Sequence, residues 1–397
     1  MKIGVCLFDQ PSICTSAWAS IGGASAFRIK SASELRSDVL WVTNVNYSIY
    51  KKLNFIQTPN ITDEQFFRTK LSSLIQEISC DEDPSVQCQK AAEVLQRTAK
   101  LGLDLFKVDA LNCNYRYFTG LQDVLLSSEM RSQPFGKHAV DVSEAIRQST
   151  QENQAMSSRQ TPRGSRAIPF VFPRGSYAKW LLSQKYPANV NWRPINARDG
   201  ESILGIESGT RVKGTNGILD KLHSLSEGKA AMFRVAVLST EPQYAEFAKF
   251  SAGKNNMIRR WATLPEIIEM ASYSKIAISG GYYTDNQSLD IHDSIDLDSD
   301  EFSFSRGLFY ENVWVALSSS PYSKSSNNVS GIGAYMRAYD RIACGRAAAS
   351  FSRYGFTVGS YGVGRLLVFV RPGEERAARE VALNLGLMPQ MRIMSEV

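Results

Sequence analysis

Histidine is scarce in this chain of 397 residues, and cysteine has no pattern. The three histidines, His138, His223 and His292, have no neighbours at metal-ligand spacing and read as surface or packed side chains. The six cysteines form no Cys-x-x-Cys pair, which leaves no visible zinc ribbon or thioredoxin-like motif, and their density is too low for a disulfide framework. No apolar run reaches the roughly 18 residues that a membrane span needs. The opening MKIGVCLFDQ lacks the long apolar core of a signal peptide, so the expected surroundings are cytosol-like, and the sequons at Asn46, Asn60, Asn286 and Asn328 then carry no glycan.

Familiar catalytic patterns are also missing. There is no G-x-x-x-x-G-K-[ST], no G-x-S-x-G and no H-E-x-x-H. The run GSYGVGR (359–365) departs from G-x-G-x-x-G and precedes a strand-like segment instead of a helix, so no dinucleotide site is expected. Asp296, Asp298 and Asp300 alternate as in a calcium loop. The sixth position is Glu301 instead of Gly and the twelfth is Gly307 instead of Glu, which argues against calcium. No catalytic residue, metal or cofactor is expected from these patterns.

What the chain has is an uneven charge distribution. Its formal net charge is only +6. Between 149 and 198, however, eight basic residues (Arg159, Arg163, Arg166, Arg174, Lys179, Lys185, Arg193, Arg198) face the single acid Glu152. Between 321 and 371, seven (Lys324, Arg337, Arg341, Arg346, Arg353, Arg365, Arg371) face Asp340 alone. Arginine dominates both windows, and its planar fork of donors matches phosphate. Aromatics are interleaved with the charges, including Tyr177, Trp180, Tyr186 and Trp192 in the first window and Tyr322, Tyr335, Tyr339 and Tyr361 in the second. Basic plus aromatic suits a polyanion whose bases stack, namely single-stranded nucleic acid.

Local patterning predicts extended segments at 2–8 and 39–45, separated by a poorly patterned stretch at 10–25, so residues 1–60 read as an N-terminal arm with short strands. Thr62-Asp-Glu-Gln65 reads as a capping box before a helix through Ile78, and Asp83-Pro84 opens a second helix that stops near Gly102. Further helices are expected near 121–129, 139–148, 176–186 and 216–226, from Glu241-Pro242 to Phe250, and from Thr263-Leu-Pro265-Glu266 to Tyr273. Others are expected at 306–320, at 331–355 and after Pro372. Residues 149–167 read as a polar loop, and 365–370 as a strand. The expected fold class is therefore mainly α: two helical lobes, 61–225 and 226–397, following the arm.

At 316–328 the chain reads Ala-Leu-Ser-Ser-Ser-Pro-Tyr-Ser-Lys-Ser-Ser-Asn-Asn. This resembles the L-S-x-K-S-P-Y-S-S-x-x-N segment of rhabdovirus nucleoproteins, within the wider group of negative-strand RNA virus (mononegavirus) nucleoproteins. Leu317, Ser318, Ser320, Pro321, Tyr322, Ser323 and Asn327 match; the lysine before Ser-Pro-Tyr-Ser is Ser319 here, with Lys324 following. The resemblance implies a nucleocapsid subunit without catalysis, whose two helical lobes form a clamp on single-stranded genomic RNA through sequence-independent backbone contacts. It implies RNA contacts from Arg166, Arg174 and Lys179 in one lobe. In the other it implies contacts from Lys254, Arg259, Arg260, Lys324, Arg337, Arg341 and Arg346, with Tyr322 and Ser323 shaping the groove. It further implies a homo-oligomer formed by N-terminal arm exchange, a viral phosphoprotein and polymerase as partners, and location in the virion and host cytoplasm. Two alternatives stand beside it. One is a viral capsid or coat subunit. The other is an RNA-guided effector or nucleic-acid enzyme subunit with a ferredoxin-like core, to which MKIGVCLF and RLLVFVRPGEERAAREVA would contribute a strand and a strand-helix unit.

Overall fold

The computed structural model describes residues 2–66, 69–79, 82–106, 136–137, 139–150, 162–188, 191–195, 211–212, 216–240, 258–288, 305, 307–309 and 328–389. The chain divides into two compact units. The first comprises 1–131, 293–316 and 391–397, and the second 132–292 and 317–390.

In the first unit, strands β1 (Lys2–Phe8), β2 (Ala17–Ile21), β3 (Phe27–Ile29), β4 (Val39–Thr43) and β5 (Ile61–Thr62) form one sheet in the order β3-β2-β1-β4-β5. β1, β2 and β3 run as an antiparallel meander, and β4 lies parallel to β1. β1 and β4 are buried along almost their whole length, which accounts for their continuous apolar runs. Two helices follow, α1 (Leu71–Ser79) and α2 (Pro84–Phe106). α2 is pinned to β1: Ile3 N donates to Gln96 Oε1 at 2.7 Å, and the Cys88 thiol donates to Val5 O at 3.1 Å. Burial pushes the Cys88 thiol up to about 12, so it stays protonated at neutral pH.

Residues 2–62 thus hold the folded sheet of a unit with its own core, which includes the fully buried Trp41. The poorly patterned 10–25 stretch contains β2, whose small residues conceal its alternation. The expected capping box at 62–65 is instead strand and turn, and the helix begins only at Leu71. α2 runs past Gly102, because a helical glycine lowers propensity without terminating the ladder.

The second unit carries α3 (Val140–Thr150), β6 (Arg166–Val171), α4 (Arg174–Leu182), β7 (Tyr186–Pro187), β8 (Arg193–Ile195), β9 (Arg211–Val212) and α5 (Asn216–Gly228). It continues with β10 (Lys229–Thr240), β11 (Ile258–Thr263), α6 (Leu264–Tyr273) and β12 (Ser274–Gln287). It closes with α7 (Gly331–Arg353), β13 (Thr357–Gly362), β14 (Arg365–Val370), α8 (Glu375–Asn384) and β15 (Met388–Pro389). Two larger sheets result. In one, the long strands β10 and β12 pair antiparallel, with β11 beside β10 and the short strands β7, β8 and β9 along β12. The other is four-stranded, in the order β13-β14-β6-β15, and antiparallel throughout.

The path β6–α7–β13–β14–α8–β15 with that strand order is the split βαβ arrangement of the ferredoxin-like fold. The first crossover is interrupted: α4, the six-stranded sheet and its helices are inserted between β6 and α7. The expectation of a mainly α clamp of two helical lobes is therefore wrong. The unit is mixed α/β, with its core between sheets and helices. Of the two segments suggested for a ferredoxin-like core, 365–384 forms such a strand-helix unit, whereas MKIGVCLF belongs to the first unit.

α6 starts as its sequence indicates, with a capping box between Thr263 and Glu266. The same glutamate is also half of a buried ion pair. Arg341 of α7 donates from Nε and Nη2 to Glu266 Oε1, both at 2.9 Å, and from Nη2 to Ser149 O at 3.0 Å. The two side chains are 4% and 6% exposed. Arg341→Ala is expected to cost the second unit about 3 kcal/mol, because it strands a buried carboxylate. Urea unfolding followed by circular dichroism checks this, and a loss under 1 kcal/mol would show that the pair is not buried as described.

Candidate functional site

One face of the four-stranded sheet is core. Val358, Val368 and Ile168 align across it, as do Tyr361, Leu366 and Phe170, and Ala378, Val381 and Ala382 of α8 and the small residues of α7 join the same cluster. On the other face the register aligns Thr357, Phe369 and Ala167, then Ser360, Leu367 and Pro169, then Arg365, Val171 and Met388. These residues are half-buried or exposed, with Met388 at 47%. A bulge between Val358 and Ser360 sets Gly359 under the Phe369 ring, where a Cβ would come within 2.7 Å of the ring. Glycine there leaves room for the phenyl ring against the strand.

At one end of this face, the turn between β13 and β14 is held in a left-handed conformation, with φ of 131° at Gly362, 55° at Val363 and 67° at Gly364. A β-branched residue at positive φ is strained and persists only where its surroundings impose it. The buried Asp340 of α7 imposes it. Asp340 Oδ2 accepts from Val363 N at 2.6 Å, and Oδ1 accepts from Gly364 N and from the Tyr177 hydroxyl, both at 2.7 Å. Burial first, and Asp340 second, push the Tyr177 phenol well above its usual range. Gly364 O in turn accepts from Phe172 N at 2.9 Å, which joins the turn to the end of β6. Among the described residues, no three His, Cys, Asp or Glu side chains converge as a metal-ligand group.

The arginines and lysines expected to bind RNA are scattered. Arg166, Arg174 and Lys179 fall together on β6 and α4. Arg166 is ion-paired with Glu375 at 3.3 Å, Arg174 is half-buried at the start of α4, and Lys179 is exposed. Arg337 and Arg341 are buried in α7, so neither lines an open groove. Arg346 is exposed but forked onto Glu269, with its shorter contact at 2.6 Å. Arg259 and Arg260 lie on β11, which pairs with β10. Lys254, Tyr322, Ser323 and Lys324 are outside the described residues. So are the expected helices at 121–129 and 242–250, most of those at 306–320, most of the 149–167 loop and the acidic stretch 290–301.

Arg365, exposed where the open face meets the turn, was counted in the second basic window but given no contact, and Phe369 on that face was not marked. Their signal was the two-residue period of Arg365, Leu367 and Phe369, which is blurred because the alternate positions are apolar too.

No family model matches the chain, and no curated protein matches it. Solved structures of Phi29 DNA polymerase are similar to it. The complex with primer-template DNA described as a post-translocation binary complex is 10% identical with a TM-score of 0.49, covering 93% of this chain and 80% of that one. The orthorhombic crystal form is 12% identical with a TM-score of 0.49, covering 92% and 80%. The ternary complex with incoming nucleotide is 10% identical with a TM-score of 0.46. The expectation of an RNA-coating nucleoprotein required a clamp of two helical lobes, and it is corrected on the fold: sheet-based cores stand where helical lobes were expected. Among the described residues, no helix is long and apolar enough to cross a membrane.

Proposed function

We propose that this protein binds a nucleic-acid strand across the open face of its ferredoxin-like sheet. Of the classes raised by the sequence, a nucleic-acid enzyme subunit with such a core is the one this architecture fits. The fold alone hosts many functions, so the reading rests on the site. The observation that carries it is the face itself: half-buried Phe369, Leu367 and Pro169 share it, its turn end bears the exposed Arg365, and Arg174 and Lys179 lie on the helix after β6. Four-stranded sheets of this kind bind single strands by stacking bases on aromatic residues of the open face, with cations on the phosphates. The local charge agrees, because no Asp or Glu occurs from 153 to 198.

The test is fluorescence polarisation of a labelled single strand over a salt series. Arg365→Ala is expected to weaken binding and to lower the salt slope by about 1, the signature of one lost phosphate contact. Phe369→Ala is expected to weaken binding about tenfold, the scale of one stacked base. Wild-type affinity and slope in both variants would overturn the reading.

A further inference from the structure

The turn end of the sheet continues into a stack of aromatic rings. Phe172 and Tyr177 lie face to face, with centroids 4.6 Å apart and planes 4° from parallel. Trp180 lies on Tyr177 at 5.6 Å and 27°, and it meets Tyr339 of α7 edge-on at 6.4 Å. The two rings that Trp180 meets are anchored: the Tyr177 hydroxyl donates to Asp340, and the Tyr339 hydroxyl donates to Lys185 O at 3.0 Å. The stack is therefore rigid before anything binds. Tyr177 is buried, whereas Trp180 at its outer end is 39% exposed.

An exposed indole alone is ordinary surface. This one terminates an anchored stack, has the exposed Lys179 beside it in sequence, and belongs to the acid-free 153–198 stretch. That combination suits a flat aromatic group carrying negative charge, which describes a nucleobase on its phosphate backbone. We propose that Trp180 is a stacking site for one base of a single strand. In a duplex, interior bases already stack on each other and offer no free face, so the site discriminates single strand from duplex. The inference rests on the proposed function and adds a second contact point beyond the sheet.

The test uses the full chain, a labelled oligothymidylate and a duplex of equal length. Adding the single strand to wild type is expected to quench indole emission, and the quench is expected to be absent in Trp180→Phe. Trp180→Leu is expected to lose about tenfold in single-strand affinity while keeping its duplex affinity. Trp180→Phe, which preserves ring packing, is expected to recover most of the loss. Unchanged quench in Trp180→Phe, or unchanged single-strand affinity in Trp180→Leu, overturns the stacking site. If Arg365→Ala still weakens binding in that case, the sheet-face reading survives. If wild type binds neither ligand, both are wrong.

Discussion

Asp340→Ala is expected to destabilise the second unit by about 4 kcal/mol. The carboxylate accepts from two backbone N–H groups of the β13–β14 turn and from the Tyr177 hydroxyl. Alanine leaves all three donors without that acceptor, at about 1–3 kcal/mol each, with water reaching the part-buried amides and reducing the sum. It also frees Val363 from the left-handed conformation that the carboxylate imposes. Asp340→Asn keeps one acceptor oxygen but turns an amide toward a donor, so about half the loss is expected to remain. Denaturant midpoints of the two variants measure this. A loss under 1 kcal/mol for alanine would mean that the turn holds itself. The same variants are expected to bind a strand more weakly, because the turn places Arg365 and supports Tyr177.

Steep alkaline unfolding of the second unit is the other large expected effect. Burial holds the phenols of Tyr177, Tyr186, Tyr335 and Tyr361 well above the usual range. Below about pH 10 folded and unfolded states both keep these protons, so their contribution to stability is fully present. Above it the unfolded chain releases protons that the folded chain retains. Each tyrosine then removes about 1.4 kcal/mol of stability per pH unit, and the four together about 5 kcal/mol. Tyrosinate absorbance and far-ultraviolet circular dichroism are expected to change together in one cooperative step above pH 10. Reversible ionisation of all the tyrosines near pH 10 with the fold intact would show that these phenols are accessible.

Parts of this structure were legible one segment at a time. Asp83-Pro84 and Thr263-Leu-Pro265-Glu266 mark helix starts because capping is local chemistry. The helix expected at 331–355 is present, and the small residues around Ala347 are buried in the core. The strand 365–370 is plain from its β-branched and aromatic residues. The fold class was misjudged because its deciding strands are long and paired non-locally. β10 is apolar on both sides over much of its length, so it shows no alternation, and its partner β12 is mixed in character. The ferredoxin-like core was hidden by the insertion separating β6 from α7.

The site was half legible for a related reason. Charge and aromatic content marked the stretches that carry the proposed site, but a sequence does not say which arginines are already satisfied. Arg341 resembles Arg365 until Glu266, 75 residues away, is seen to neutralise it. Asp340 looked like a lone acid opposing a basic window, yet it is the residue that shapes the turn.

The location of a bound strand is the central claim, and photocrosslinking tests it most directly. A single strand carrying a thio-substituted pyrimidine would be irradiated with the full chain and the adducts mapped by mass spectrometry. The expected result is adducts within 166–182 and 357–370, covering β6, α4 and the β13–β14 hairpin. Adducts confined to 2–106, or spread evenly over both units, would contradict it.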